Sequence, residues 1–355
     1  MTALIRAKLL NFIRNTDSAH PGLLLQRGWH EFPAQGEDES GENSKTQHIA
    51  RVCDIPASDV YRRAYARWTA ATDEITRFRH LTMKIEGRLL IGLATGCALE
   101  TGCAISHTYG MPYIPGSSIK GAVRAYAEKC LREKPELINE LFGAAPDGDE
   151  QPDLSGVIAF HDAWWIPDSG PGKPFVQDVV TTHHPEYYGS EGAHAATDLD
   201  SPVPNALVGV HGTFLFSMEG PQDWLDLAKA LTEKALTDSG IGAKTAAGYG
   251  YMVHDEDAAI RLAREAEERR ISKLPSGEQL TQNVKRFGLD TITRMLGADI
   301  NTTKKNEKDF AAFVQEVRVQ YGDAIAKWKN ETKNSHKNRF KTYRIIFGAE
   351  NDGNE

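Results

Sequence analysis

Hydrophobic and polar positions along this chain follow two periods, and the switches between them outline its elements. Between 57 and 80, Val60, Ala64, Trp68, Ala71 and Ile75 recur at three- and four-residue steps, with Arg62, Arg63, Arg67, Arg77 and Arg79 on the other faces. This spacing predicts a helix with one buried stripe. LTMKIEGRLLIGLA (81–94) is rich in Ile and Leu with partial alternation and reads as a strand. A loop punctuated by Gly96, Gly102 and Gly110 closes with PYIPGSS. Pro115-Gly116 forces a turn there, and Ser117 or Ser118 is placed to cap a helix over 118–134 carrying Ile119, Val123 and Tyr126 on one side. GVIAFHDA (156–163) predicts a short strand and ALVGVHGTFLFSM (206–218) a longer one. Residues 222–238 predict a helix burying Trp224, Leu227, Leu231 and Ala235, and GYMVH (250–254) predicts a final strand.

In chain order this is strand, helix, strand, strand, helix, strand, the βαββαβ order of a ferredoxin-like α+β fold. RNA-recognition motifs hold single-stranded RNA on a four-stranded sheet of this general kind. Such a core makes RNA a first guess, since fold alone does not give function. Around it, residues 1–80 form an N-terminal segment and helix packing on the core, and 81–254 the core itself. Within that core, 164–204 has little periodicity but many Pro, Gly, His and Asp, and reads as a long insertion. PAQGEDESGENSKTQ (33–47) reads as a mobile polar loop. After 255 comes a helical extension: a charged helix over 256–273, an LPSG interruption and about three more helical segments to 347. No repeat of 20–50 residues is evident.

Composition narrows the class. With 355 residues, 40% hydrophobic and 25% charged, the chain resembles an ordinary soluble protein. No apolar stretch approaches the roughly 20 residues of a membrane span. MTALIRAKLLNFIRNTD lacks the apolar core and cleavage site of a signal peptide, so a cytoplasmic location is expected. Cys53, Cys97, Cys103 and Cys130 form no C-x-x-C pair and read as buried reduced thiols. The net charge of -8 argues mildly against a free-standing nucleic-acid binder. Its distribution changes that picture. Residues 145–226 hold 14 Asp and Glu against the single cation Lys173, a balance of -13, which leaves +5 for the rest. Within 325–345, Lys327, Lys329, Lys333, Lys337, Arg339, Lys341 and Arg344 face Glu331 alone. An acidic middle with basic flanks suggests separate surfaces for different partners.

Two segments carry candidate chemistry. In HTYGMPYIPGSSIKGAVRAYA (107–127), a Pro- and Gly-shaped loop feeds a helix with Lys120 in its first turn and Arg124 four residues on, on the same face. A helix N-terminus offers free N–H groups and a positive dipole end, so the segment suits a phosphate; an ordinary capped helix with two solvated cations is the equal alternative. In GIGAKTAAGYG (240–250), Gly240, Gly242, Gly248 and Gly250 bracket Lys244 and Thr245. Exposed N–H groups in such a turn form anion-binding concavities. The phosphate-loop pattern fails because Ala243 precedes Lys244, and the dinucleotide pattern fails at Thr245. The alternative is a tight structural turn in which Gly240 ends the preceding helix. The functional reading requires the two segments to converge on one sheet.

G-hydrophobic-G-x5-G-hydrophobic-G near the end of such a unit resembles the signature loop of the RAMP superfamily of CRISPR proteins, and YIPGSSIKGAVR resembles that superfamily's loop-helix segment. HPGLLLQRG (20–28), ETGCAISHTYGMPYIPGSSIKG (100–121), IAFHDAWW (158–165), DVVTTHHPEYYG (178–189) and DLDSPVPN (198–205) narrow the likeness to the Cmr subunit-six family of type III-B effector complexes. The resemblance implies a non-catalytic backbone subunit, without cofactor or metal, that contacts guide RNA (crRNA) and target RNA near the guide 3′ end. It implies as neighbours the repeated slicer backbone subunit, the small helical subunit and the subunit capping that end. It implies RNA contact at Lys120, Arg124, Gly242, Lys244, Thr245, Gly248 and Gly250. The acidic insertion and the large basic extension depart from the family core; the insertion reads as thumb-like or target-facing, though its charge is odd for touching RNA.

His161, Asp162, His183, His184, Glu186, His194 and Asp198 fall in one stretch. They suit either a divalent metal or a general base acting on a 2′-hydroxyl, the alternative being a RAMP endoribonuclease. No ligand spacing supports the metal, and hydrogen bonding that orders a long loop is the simpler role. Trp164-Trp165 and Tyr187-Tyr188 suit stacking on bases or, preferably, a protein interface.

Overall fold

In the computed structural model the described residues are 2–3, 19–29, 31–32, 45–95, 99, 101–144, 154–170, 172–182, 184–190, 192–200, 203–297, 307–329 and 336–348. They form two compact units, Met1–Leu262 and Ala263–Glu355. Part of the sequence reading falls outside them, including the polar loop over 33–44, Cys97 and His183.

The first unit is built on a mixed helix-and-strand core. Its elements include α1 (Lys45–Cys53), α2 (Asp59–Ala71), β1 (Phe78–Ile85), β2 (Tyr113–Ile114), α3 (Gly116–Cys130), β3 (Ala159–Phe160), β4 (Ala163–Trp165), β5 (Phe175–Thr182), β6 (Val203–Val210), β7 (Thr213–Glu219), α4 (Gln222–Asp238) and β8 (Met252–His254). The main sheet runs β8-β1-β7-β4-β2, with β3 also paired to β7. All neighbours are antiparallel: β7 spans β1 from Thr213↔Lys84 to Glu219↔Phe78 and meets Trp165 and Phe160 on its other edge. The strand predicted over 156–163 is therefore two short pieces, broken at His161–Asp162.

β7 is buried along nearly its whole length, as a strand covered on both faces must be. Alternation sorts its side chains. Phe214, Phe216 and Met218 join Leu81, Met83, Ile119, Val123, Leu225 and Ala228 in the main core. Leu215 points to the other cluster, with Tyr65, Ile166 and Ala258. α3 buries Ile119, Val123 and Ala127 at four-residue steps, and α4 buries Leu225, Ala228, Thr232, Ala235 and Leu236. Each fully buried Leu or Ile stabilises the fold by about 1.5–3 kcal/mol relative to exposure.

Three expectations need correction. The buried stripe of α2 is Tyr61, Ala64, Tyr65 and Thr69, while Val60 and Ile75 are 59% and 76% exposed. The aromatic faces of the tyrosines carry the packing, and the Tyr61 hydroxyl donates to the Trp165 carbonyl at 2.6 Å. The apolar run 206–218 is two strands, because Gly212 turns the chain at φ +97. β6 turns back to pair with β5 over all eight residues, Phe175↔Val210 to Thr182↔Val203. The insertion 164–204 thus contains one half of a long β-ribbon, against which α1 packs Ile49 and Val52.

Past β8, α5 covers Glu256–Ser272, as its charge pattern predicts, and the division between the units falls inside it. The second unit holds α6 (Ser276–Gly297, kinked at Gly288), α7 (Glu307–Ala326) and α8 (Lys337–Phe347). These helices share a core of Val284, Ile292, Leu296, Val317, Ile325 and Ile346. No helix among the described residues is long and apolar enough to cross a membrane.

Candidate nucleic-acid interface

The glycine turn leaves α4 at Ser239 and enters β8 at Met252. Its base is clamped: Ile241 N–H donates to Gly250 O at 3.0 Å, Gly250 N–H to Arg88 O at 2.9 Å, and Ala243 N–H to Leu90 O at 2.7 Å. Gly250, at φ +77, is obligatory, since a Cβ there would stand 1.9 Å from Ile241 O. Its tip is a short 3-10 turn, Thr245–Ala247, entered through Lys244 in the left-handed region at φ 59. Gly242, Lys244 and Ala246 are exposed and Thr245 half-buried. Among the described residues, the amides of Gly242, Lys244, Thr245 and Ala246 donate to no protein acceptor. Three consecutive unpartnered amides beside a lysine ammonium are the makings of an anion nest.

The loop-helix segment differs from its sequence reading. α3 starts at Gly116 with Pro115 at its N-cap, and neither Ser117 nor Ser118 caps it. Gly116 N–H donates to Asp162 Oδ1 at 2.7 Å. A protein carboxylate therefore takes the helix-start position that the sequence offered to a phosphate. Lys120 and Arg124 do come together, lining an open cleft of about 770 Å³ with Gly143, Gly156 and Glu219. Arg124 is partly engaged, by Glu128 at 2.9 Å and the Gly143 carbonyl at 3.1 Å. Lys120 has no ion-pair partner among the described residues and faces the cleft half-buried.

The two segments do not converge. The cleft lies at the end of β7 where Glu219 meets Phe78 and Ala159. The glycine turn lies beyond the other end, where Met252 meets Ile85 and Ile85 N–H reaches Gly212 O. Six strand steps of about 3.3 Å put the two ends about 20 Å apart. The sequence supplied each turn but not the direction of the helix joining the ends. α3 and α4 both start near Glu219, as Tyr126 on the last turns of α3 bonds Asp238 at the end of α4 at 2.6 Å.

The histidines are dispersed as well. His161 Nε2 lies 2.9 Å from Glu219 Oε2, with its ring against Trp68 at 5.2 Å and Phe78 at 6.1 Å. The Arg77 guanidinium, with His161 behind it, holds Glu219 below the usual carboxylate range. His184, past the far end of β5, pairs with Asp200 at 2.8 Å. The Thr197 hydroxyl and then His184 hold Asp200 down at about 2. His194 and Asp198 are exposed. Among the described residues, no three His, Cys, Asp or Glu side chains are grouped to hold a metal. Of the aromatics, Trp165 is fully buried, its indole N–H bonded to His211 O at 2.9 Å, and Trp164 lies between Tyr61 and Trp68. Trp165 is closed to a base, Trp164 is half-buried and lines a second cleft, and Tyr187 and Tyr188 are 40% and 70% exposed. Cys53 and Cys103 are pushed up to about 12 by burial, but Cys130 is exposed.

Sequence reasoning missed the tie that anchors the glycine turn. Arg88 pairs with Asp178 on the ribbon at 2.7 Å, and burial together with a hydrogen bond to Asp178 pushes the Tyr249 phenol up. A lone Asp in an alternating strand carries no signal of such a partner.

Residues 82–253 match the family model of the RAMP superfamily. A CRISPR system Cmr subunit, Cmr6 of Pyrococcus furiosus, is 27% identical over 257 residues, covering 56% of this chain and 74% of that protein. Cmr6 of Saccharolobus solfataricus is 28% identical over 183 residues, covering 49% of this chain and 57% of that protein. A chain of the type III-B Cmr-beta complex bound to cognate target RNA aligns at 21% identity and TM-score 0.46, over 62% of this chain and 77% of that one. The crystal structure of Pyrococcus furiosus Cmr6 aligns at 25% identity and TM-score 0.31, over 50% and 98%. At these TM-scores neither structural likeness bears on the fold. By the family match and the two sequence relatives, residues 82–253 belong to the RAMP superfamily, and the chain is a relative of the Cmr6 proteins.

Proposed function

We propose that this chain is a non-catalytic, RNA-binding subunit of a type III-B (Cmr) CRISPR effector complex in antiviral defence. The core strands lie in the order fourth, first, third, second, with α3 and α4 as the two crossovers, which fits a ferredoxin-like unit. The glycine turn is its RNA contact: Gly242, Lys244, Thr245, Gly248 and Gly250 shape and charge a backbone nest that takes a phosphate of the guide. The single grip by converging turns that the sequence reading required is given up; Lys120 and Arg124, in the separate cleft at the opposite end of the sheet, take a phosphate of their own. Neighbours are the repeated slicer backbone subunit, the small helical subunit and the subunit capping the guide 3′ end, and target RNA pairs with the guide held there. The observation that carries the reading is the run of unpartnered amides at Lys244, Thr245 and Ala246. An endoribonuclease reading finds no support in His161, which is packed between rings and bonded to Glu219.

Phosphate contacts make affinity fall with salt and depend little on sequence. In an assembled complex, Lys244→Ala with Lys120→Ala is expected to weaken guide binding and lower the salt slope by about 1 per lysine, with no change in any cleavage step. Wild-type affinity and slope in the double variant contradict the proposal.

A further inference from the structure

The loop Ser106–Tyr113, one half of a motif whose other half starts α3, has no part in the RNA contacts above. With Tyr61, Trp164 and Asp162 it encloses a cleft of about 280 Å³. Its walls are aromatic. Tyr109 packs edge-on to Tyr61 at 6.1 Å and tilted against Trp164 at 5.8 Å, and Tyr113 sits on β2 at the sheet's edge. Tyr109 and Tyr113 are half-buried, so ring surface remains at the mouth. Asp162 is exposed there; its Oδ1 accepts from Gly116 N–H, and no cation among the described residues pairs with it.

We infer that this cleft is a docking site for an arginine side chain presented by a neighbouring protein. Aromatic walls and a carboxylate whose Oδ2 is left over from the bond of Oδ1 to Gly116 complement a planar guanidinium, which stacks on rings and donates a charge-assisted N–H bond to a carboxylate. A nucleobase offers similar stacking but brings phosphates, and the residues lining the cleft include Asp162 and no lysine or arginine. A carboxylate at such a mouth repels a nucleic-acid backbone and attracts a guanidinium. The site does not depend on the RNA-binding reading.

Titration of the full chain with N-acetyl-arginine amide, followed by tryptophan fluorescence, tests it, with cytidine monophosphate as the nucleotide probe. Saturable binding of the arginine amide and none of the nucleotide are expected. Asp162→Asn keeps an oxygen for Gly116 and is expected to weaken the arginine amide about tenfold, the loss of one charge-assisted bond. In the wild-type chain, amide shifts on adding the probe are expected at Ser106–Tyr113. Unchanged affinity in Asp162→Asn, tighter binding of the nucleotide, or shifts confined elsewhere each overturn the assignment.

Discussion

Gly248 and Gly250 sit in one turn and both have left-handed backbones, yet they answer to different constraints. At φ +91, Gly248 faces open space, whereas Gly250 has a carbonyl where its Cβ would go. Gly248→Ala is therefore expected to cost about 1–2 kcal/mol, the left-handed penalty alone. Gly250→Ala adds a steric clash to it and is expected to cost at least about 3 kcal/mol. Urea unfolding of the two variants measures the difference, and equal costs would refute the clash. Gly121, on an outward face of α3 with nothing within 4 Å of its Cβ position, is the control. Gly121→Ala is expected to stabilise by about 0.5–1 kcal/mol.

Among the elements, α5 shows how the sheet anchors a helix. Asp255 accepts from Ala258 N–H at 2.9 Å and from the Thr213 hydroxyl at 2.6 Å, joining the helix start to β7. Burial pulls this carboxyl upward, but Thr213, Ala258 and the nearby cations outweigh it and hold it below its ordinary value. A depressed carboxylate stabilises the fold fully above the unfolded pKa, near 4, and loses that contribution as pH falls through the folded value. Asp255→Ala is expected to lower stability by about 1–2 kcal/mol at neutral pH, a gap that narrows below about pH 4. Thermal unfolding across pH checks it, and a gap that widens on acidification would contradict the sign. The elements themselves were largely legible. α4 runs over the 17 residues its periodicity marks, and GYMVH contains β8. What periodicity did not reveal were features set by distant partners. FVQDVVTT is a strand because β6 lies beside it, and the stripe of α2 is displaced because two tyrosines have ring faces to bury. Each candidate site was readable as a local turn, but the capping of α3 by Asp162 and the separation of the two cationic sites are products of tertiary topology.

At the scale of the whole molecule, charge and core divide along the chain. Ile292 is fully buried among the helices of the second unit, so Ile292→Ala is expected to cost that unit about 2–5 kcal/mol. Hydrogen exchange is expected to show lost protection in α6, α7 and α8 and none in β1 or β7; loss spread evenly through the chain would contradict two separate cores. The basic end of that unit is partly occupied by its own rings, Arg339 over Trp328 and Arg344 over Phe340. RNA contact is proposed instead for the first unit, where a glycine turn presents amides and Lys244 with no protein acceptor among the described residues. Photocrosslinking of guide RNA in an assembled complex, with the attachment sites mapped by mass spectrometry, tests that claim most directly. Crosslinks within 240–250 are the expected result; crosslinks found on neighbouring subunits and on other parts of this chain, with none in that turn, would contradict it.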